Sequence, residues 1–231
     1  MPPMRVLEVR IADESAGWRA AGFNVRNDGQ FNIGDVDFQL LGKNAARPGQ
    51  YPVLSWLLLD PSARARPGSF ETRAVEGLDI RLTSEDPGEA IKRAHPNRAE
   101  QVASLVIQTP DVERTVKALK DTLGMEPRRV IIPKDGKAPT MALFKIGSTI
   151  IEVVRGSGQT RFWGLMVETQ DIEKTYELVK ERGGARKLKD AVQPGRKIFT
   201  LENKAVGVGV DVAFISRNPK ARPQKQNWSK V

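Results

Sequence analysis

The chain has 231 residues, 39% hydrophobic and 28% charged, with a net charge of +9, no cysteine and one histidine. The lack of cysteine excludes disulfides and thiolate metal sites, and no apolar run approaches the roughly 20 residues that span a bilayer. A single histidine argues against zinc, non-haem iron and Ser-His-Asp chemistry, and the positive balance favours anionic partners.

The start, "MPPMRVLEVR", enters a strand pattern at once, without an apolar leader. The expectation is a cytoplasmic protein with no targeting signal and no membrane partner. "RVLEVRI" alternates as a half-buried strand and leads through Asp13 into a short helix ending at Gly22. "FNIGDVDFQLLGK" (31–43) reads as strand, as do "YPVLSWLLLD" and "GLDIRLTSE"; "DPSARARPGS" between these two is loop. Residues 84–100 are rich in proline and charge and read as a linker, in which His95 is expected to be solvated. Beyond it come a strand, "VASLVIQ"; a helix over 109–124; and the strand-like runs "RRVIIP", "TMALFKI" and "STIIEVVR". The order then recurs: "FWGLMVE", a helix over 169–184, "ARKLKDAV", "RKIFTLE" and "VGVGVDVAFIS". The basic tail, 217–231, holds Arg217, Lys220, Arg222, Lys225 and Lys230 without an acid and reads as disordered. It also offers an electrostatic arm for nucleic acid or a partner subunit, with Trp228 as anchor.

The two helices repeat one sentence. "TPDVERTVKALKDTLG" and "TQDIEKTYELVKERGG" align without gaps, pairing Thr109 with Thr169, Asp111 with Asp171, Thr115 with Thr175 and Lys120 with Lys180. Thr109 or Asp111, and Thr169 or Asp171, are the candidate N-caps; Gly124 and Gly183–Gly184 are the stops. Each copy is β-α-β-β-β. The N-terminal part echoes it faintly, since "FNIG" at 31–34 matches "FKIG" at 144–147. The chain therefore divides into a reduced N-terminal module plus a truncated second (1–83), a linker (84–100), and paired modules over 101–216 (101–156 and 160–216). The fold class is α+β, with tandem βαβββ modules forming curled mixed sheets and helices on the outer face.

A tandem β-α-β-β-β unit whose helix reads "TPDVERTVKALKDTLGMEP" resembles the vicinal oxygen chelate superfamily, the glyoxalase, bleomycin-resistance and extradiol-dioxygenase group. The resemblance covers 101–216 well and 4–83 weakly. It implies two modules pairing around a cup. It also implies metal ligands on the first strand of each module, seven residues before the helix-opening Asp, and a Glu on the last strand. Carried over by position, the slots are Ser104 and Gly164, then Glu152 and Asp211; in the N-terminal module they are Val6 and Gln39.

Strand parity places the slots independently. Ala103, Leu105 and Ile107 should face the helix, leaving Ser104, Val106 and Gln108 to the cup. Trp163, Leu165 and Val167 likewise leave Gly164, Met166 and Glu168. Ile151 and Val153 leave Glu152; the valines at 206, 208, 210 and 212 leave Asp211. In the N-terminal module the cup side takes Glu8, Arg10, Asp37 and Gln39. Both first-strand slots lack the expected histidine, so no metal centre and no cofactor is expected; "RGGAR" and "GVGVD" do not open a helix as a dinucleotide fingerprint must.

Three functions fit. In the first, the cup binds a small, anionic or polar molecule through Ser104, Val106, Gln108, Glu152, Met166, Glu168 and Asp211, with Trp56, Phe144, Met141, Phe162 and Trp163 as candidate apolar wall. In the second, Glu152 and Asp211 act as metal-free acid and base in an isomerase, lyase or hydrolase. In the third, the modules are a basic scaffold contacting nucleic acid or a protein partner. Modules of this type pair within or between chains, so an oligomer is open.

Overall fold

The computed structural model describes residues 4–88, 92–133 and 139–219. Most of the basic tail, including Trp228, lies outside the described residues.

Alternating sequence builds two mixed sheets. The first contains β1 (Arg5–Ile11), β2 (Gln30–Ile33), β3 (Val36–Leu40), β4 (Val53–Leu59), β5 (Glu71–Val75) and β6 (Leu78–Thr83), in the order β2-β3-β1-β4-β6-β5. A short helix, α1 (Ser15–Ala20), follows β1. Val9, Ile11, Phe38, Leu40, Trp56, Leu58, Ile80 and Leu82 bury one face of this sheet, and Glu8, Arg10, Asp37, Gln39 and Asp79 occupy the other. β5, the edge strand, was not expected; its "ETRAV" is half polar on both faces, so it carries little periodic signal.

The second sheet runs β12-β13-β14-β11-β7-β10-β9-β8. Its first half is β7 (Ala99–Thr109), α2 (Val112–Leu123), β8 (Arg129–Ile131), β9 (Met141–Ile146) and β10 (Thr149–Arg155). Its second half is β11 (Arg161–Thr169), α3 (Ile172–Glu181), β12 (Lys189–Asp190), β13 (Lys197–Thr200), α4 (Asn203–Val206) and β14 (Asp211–Ser216). β7 and β11 pair antiparallel at the centre, and each pairs parallel with the last strand of its own half. This is the α+β architecture of tandem βαβββ modules.

The aspartates, rather than the threonines, cap the repeated helices. Asp111 accepts from Arg114 N at 3.0 Å and Asp171 from Lys174 N at 3.1 Å. Gly124 ends α2 in the left-handed region that suits glycine. The repeated threonines tie each helix to its preceding strand: Thr115 and Thr109 share a 2.8 Å bond between their hydroxyls, and Thr175 and Thr169 share one of 2.5 Å.

The sheets share one core. The Trp56 ring lies 4.2 Å from Phe162, and Phe23 stacks on Phe214 at 5.8 Å. At the β5–β6 turn, the Glu76 carboxylate accepts from Arg114 and Thr115 of α2 and from Thr160.

Four expectations are corrected. His95 is 6% exposed, not solvated: its Nδ1 accepts from Asn24 N at 2.9 Å and its Nε2 lies 2.6 Å from Asn32 O. Those contacts fix the neutral tautomer with the proton on Nε2. "VGVGV" is not strand. α4 and a left-handed Gly207 precede β14, because Gly209 N donates to Asp13 rather than to a ladder. The valines at 206, 208, 210 and 212 are buried all the same. Register shifts reset parity on β7 and β11: Val102, not Ala103, enters the core, and Phe162 takes the place expected of Trp163. A shift at Leu7 likewise buries Val6 and leaves Glu8 on the polar face.

Candidate functional site

Cross-strand registers define the concave face of the second sheet as three rows. One runs Arg129–Leu143–Glu152–Val106–Gly164–Asp211. Beside it lie Lys145–Ile150–Ser104–Met166–Ala213 and Ile131–Met141–Val154–Gln108–Arg161. Ser104, Val106, Gln108, Glu152, Met166 and Asp211 therefore share one face, and Glu168 continues it beyond Met166. Of the expected apolar wall only Met141 stands here; Trp56, Phe144 and Phe162 are core.

At the centre, burial pushes the Glu152 carboxyl above the usual carboxylate range, and the neighbouring Ser104 opposes the rise. Ser104 is 2% exposed, and its Oγ makes no well-formed hydrogen bond among the described residues. Among the described residues no cation is paired with Glu152, whose polar neighbour is the Ser104 hydroxyl.

Asp211 is three strand spacings away, about 14 Å along the sheet. It accepts from the Tyr51 hydroxyl at 2.7 Å. Burial and this bond push the Tyr51 phenol well above its usual range. The Arg161 guanidinium covers the Tyr51 ring at 4.9 Å and donates to Gln108 at 2.6 Å. Glu168 is paired with Arg196 at 2.7 Å. Sequence reasoning missed Tyr51, Arg161 and Arg196, because their partners sit 28 to 160 positions away.

The resemblance implies a metal at Ser104, Gly164, Glu152 and Asp211, and these residues do not fit one. An alcohol is a poor ligand, burial disfavours the charged form of Glu152 that a metal would need, and Asp211 is committed to Tyr51. Gly164 has no room for a ligand: a Cβ there would lie 2.3 Å from Asp211 O. The register also sets Asp211 opposite Gly164 as Ile150 is opposite Ser104, so Ala213 stands where Glu152 does. Among the described residues no group of three or more His, Asp or Glu side chains is arranged to hold a metal ion.

The concave face of the first sheet is charged and internally paired. Glu8 accepts from Arg10 at 2.8 Å and from Arg81 at 2.6 Å. Burial alone would raise its carboxyl; the two guanidiniums outweigh burial and hold it below the usual range. Asp37 beside it is pushed up by burial and by the Glu8 charge. A groove of about 410 Å³ lies elsewhere, between the Lys43–Pro52 loop and Gly209. Its one buried charge, Asp13, is satisfied by Trp18 Nε1, Glu14 N and Gly209 N.

No family model matches the chain, and no curated protein matches it. Several solved structures are similar. A methylmalonyl-CoA epimerase from Mycobacterium tuberculosis is 16% identical, with 53% of this chain and 91% of that one covered and a TM-score of 0.45. A Streptomyces coelicolor methylmalonyl-CoA epimerase variant, in complex with 2-nitronate-propionyl-CoA, is 14% identical, with 51% and 97% covered and a TM-score of 0.44. A xylose isomerase-like TIM barrel/4-hydroxyphenylpyruvate dioxygenase fusion protein is 12% identical over 97% of this chain, with a TM-score of 0.64; this chain spans 51% of its length. At such identity the likeness is one of fold alone, carried by the last of these structures, and the fold is one of tandem βαβββ modules.

Proposed function

We propose that the protein binds a small molecule on the concave face of its second sheet, without a metal ion held in the family manner. Glu152 carries this reading. It is a carboxyl sunk between strands, with no cation paired to it among the described residues, beside a buried Ser104 hydroxyl in the same position. Burying such groups with only each other as polar neighbours costs free energy that a ligand's own donors and acceptors recover. Leu143, Ile150, Val106 and Met166 supply apolar wall around them, and the Arg161–Gln108 pair gives a polar end. The test is amide NMR mapping of a panel of small organic acids. Shifts should cluster at Ser104, Val106, Glu152 and Met166; binders whose shifts fall only outside these rows would sink the reading.

The raised Glu152 carboxyl favours a second reading, metal-free acid/base catalysis. Asp211, held by Tyr51 three strands away, makes a poor partner across one substrate, so this reading rests on Glu152 alone. It requires that Glu152→Gln keep ligand affinity and abolish exchange of a substrate C–H proton with solvent deuterium. Equal exchange in both proteins would remove it.

A further inference from the structure

The concave face continues past Leu143 and Ile150 to the β8–β9 edge, where a cavity of about 300 Å³ is lined by Arg128, Arg129, Leu143 and Ile150. Arg129 stands opposite Leu143, and Lys145 opposite Ile150. Two guanidiniums thus line the mouth, and Lys145 stands beside it next to Ile150, within reach of the Arg128 charge. Among the described residues, none of the three has a carboxylate within ion-pair distance, whereas the cations Lys120, Arg186 and Lys197 are paired to glutamates. Glu152 is the carboxyl nearest along the row, and Leu143 stands between it and Arg129.

Resting on the reading of this face as a ligand cup, we propose that Arg128, Arg129 and Lys145 hold an oxyanion of the ligand, a phosphoryl or carboxylate group, with its body lying along Leu143 and Ile150 towards Glu152. Guanidinium forks suit such oxygens and bind them in pairs, and lysine adds a point charge. An apolar step then separates the anionic end from the Glu152 carboxyl, so the two ends of one molecule meet different chemistry. Burial and the Arg128 charge already hold the Lys145 ammonium below the usual lysine range. An anion seated between them relieves that crowding.

Calorimetry of the full chain with inorganic pyrophosphate, and separately with succinate, tests the site and tells a phosphoryl from a carboxylate source. The expected result is saturable binding of one of them, weakened at least about tenfold by Arg128→Gln/Arg129→Gln. The charge-matched control Lys187→Gln/Lys189→Gln, at the opposite edge of the sheet, should leave it unchanged. Binding should also raise the Lys145 pKa read by side-chain NMR. Neither anion saturating, equal weakening in the control, or an unmoved Lys145 would overturn the proposal. If anions fail while organic acids still shift Ser104 and Glu152, the cup reading stands and only the anion mouth falls; the converse removes the cup and keeps the mouth.

Discussion

At the scale of single residues, two titratable groups, the buried His95 and the half-buried Glu152, give the protein opposite pH slopes. His95 is held neutral, first by burial, so its folded pKa lies below the ordinary 6.5. Its contribution to stability is complete above about that pH and is lost as pH falls through the lower folded value. Chemical denaturation between pH 7 and 5 should show this loss, and His95→Gln should flatten it. Glu152 runs the other way: with its folded pKa above 4.5, its contribution is complete below that pH and is lost as pH rises through the folded value. Glu152→Gln should therefore raise the melting temperature at pH 7 and leave it unchanged at pH 4; a lowered melting temperature at pH 7 would contradict the unpaired carboxyl. Glu152 was legible because strand parity alone sends it to the cup. His95 was not, since both its partners are backbone groups more than sixty positions away. Nor was the close packing at Gly164, where alanine meets the Asp211 carbonyl and should cost about 1–3 kcal/mol in a denaturant melt.

At the scale of elements, the repeated helix sentence encodes docking. Its Asp, Thr and apolar positions recur because each copy must be capped, tied to its strand and laid on a sheet. The copies differ in what the second threonine meets: Thr115 donates to the Glu76 carboxylate, and Thr175 to Asn97 O at 2.8 Å. One motif thus anchors two helices to different segments of the N-terminal half. Asp111→Ala and Asp171→Ala should each cost about 1 kcal/mol, as an N-cap does. Glu76→Ala should cost more, about 2 kcal/mol, because it removes one acceptor shared by Thr115, Thr160 and Arg114. Equal losses for Glu76→Ala and Asp111→Ala in urea melts would mean that the turn docks α2 weakly. The two repeated helices and the strand before each were readable from periodicity and capping residues, whereas 31–43, read as one strand, is the antiparallel pair β2 and β3 turning at Gly34. The register shifts at Leu7, Ala103 and Trp163 were not: a bulge adds one residue without changing composition, and every parity assignment beyond it inverts.

At the scale of the whole molecule, the two sheets bury their apolar faces in one continuous core. Each leaves a polar face outward, and the two polar faces differ in kind. On the first, Glu8 is paired with Arg10 and Arg81; on the second, among the described residues, no cation is paired with Glu152 at the centre and no carboxylate with Arg128, Arg129 or Lys145 at the edge. A shared core predicts cooperative unfolding, and the Trp56–Phe162 contact is where it can be tested. Phe162 belongs to the second sheet, yet its ring packs on a tryptophan of the first, so Phe162→Ala should remove about 3–5 kcal/mol from the whole protein. Tryptophan emission, recorded with Trp163 and Trp228 replaced by Phe so that it reads Trp18 and Trp56 of the first half, and far-ultraviolet dichroism, which reads both sheets, should then shift together to lower urea as one transition. Two separated transitions, with tryptophan emission moving less than dichroism, would show that the halves fold independently and that the contact between them adds little.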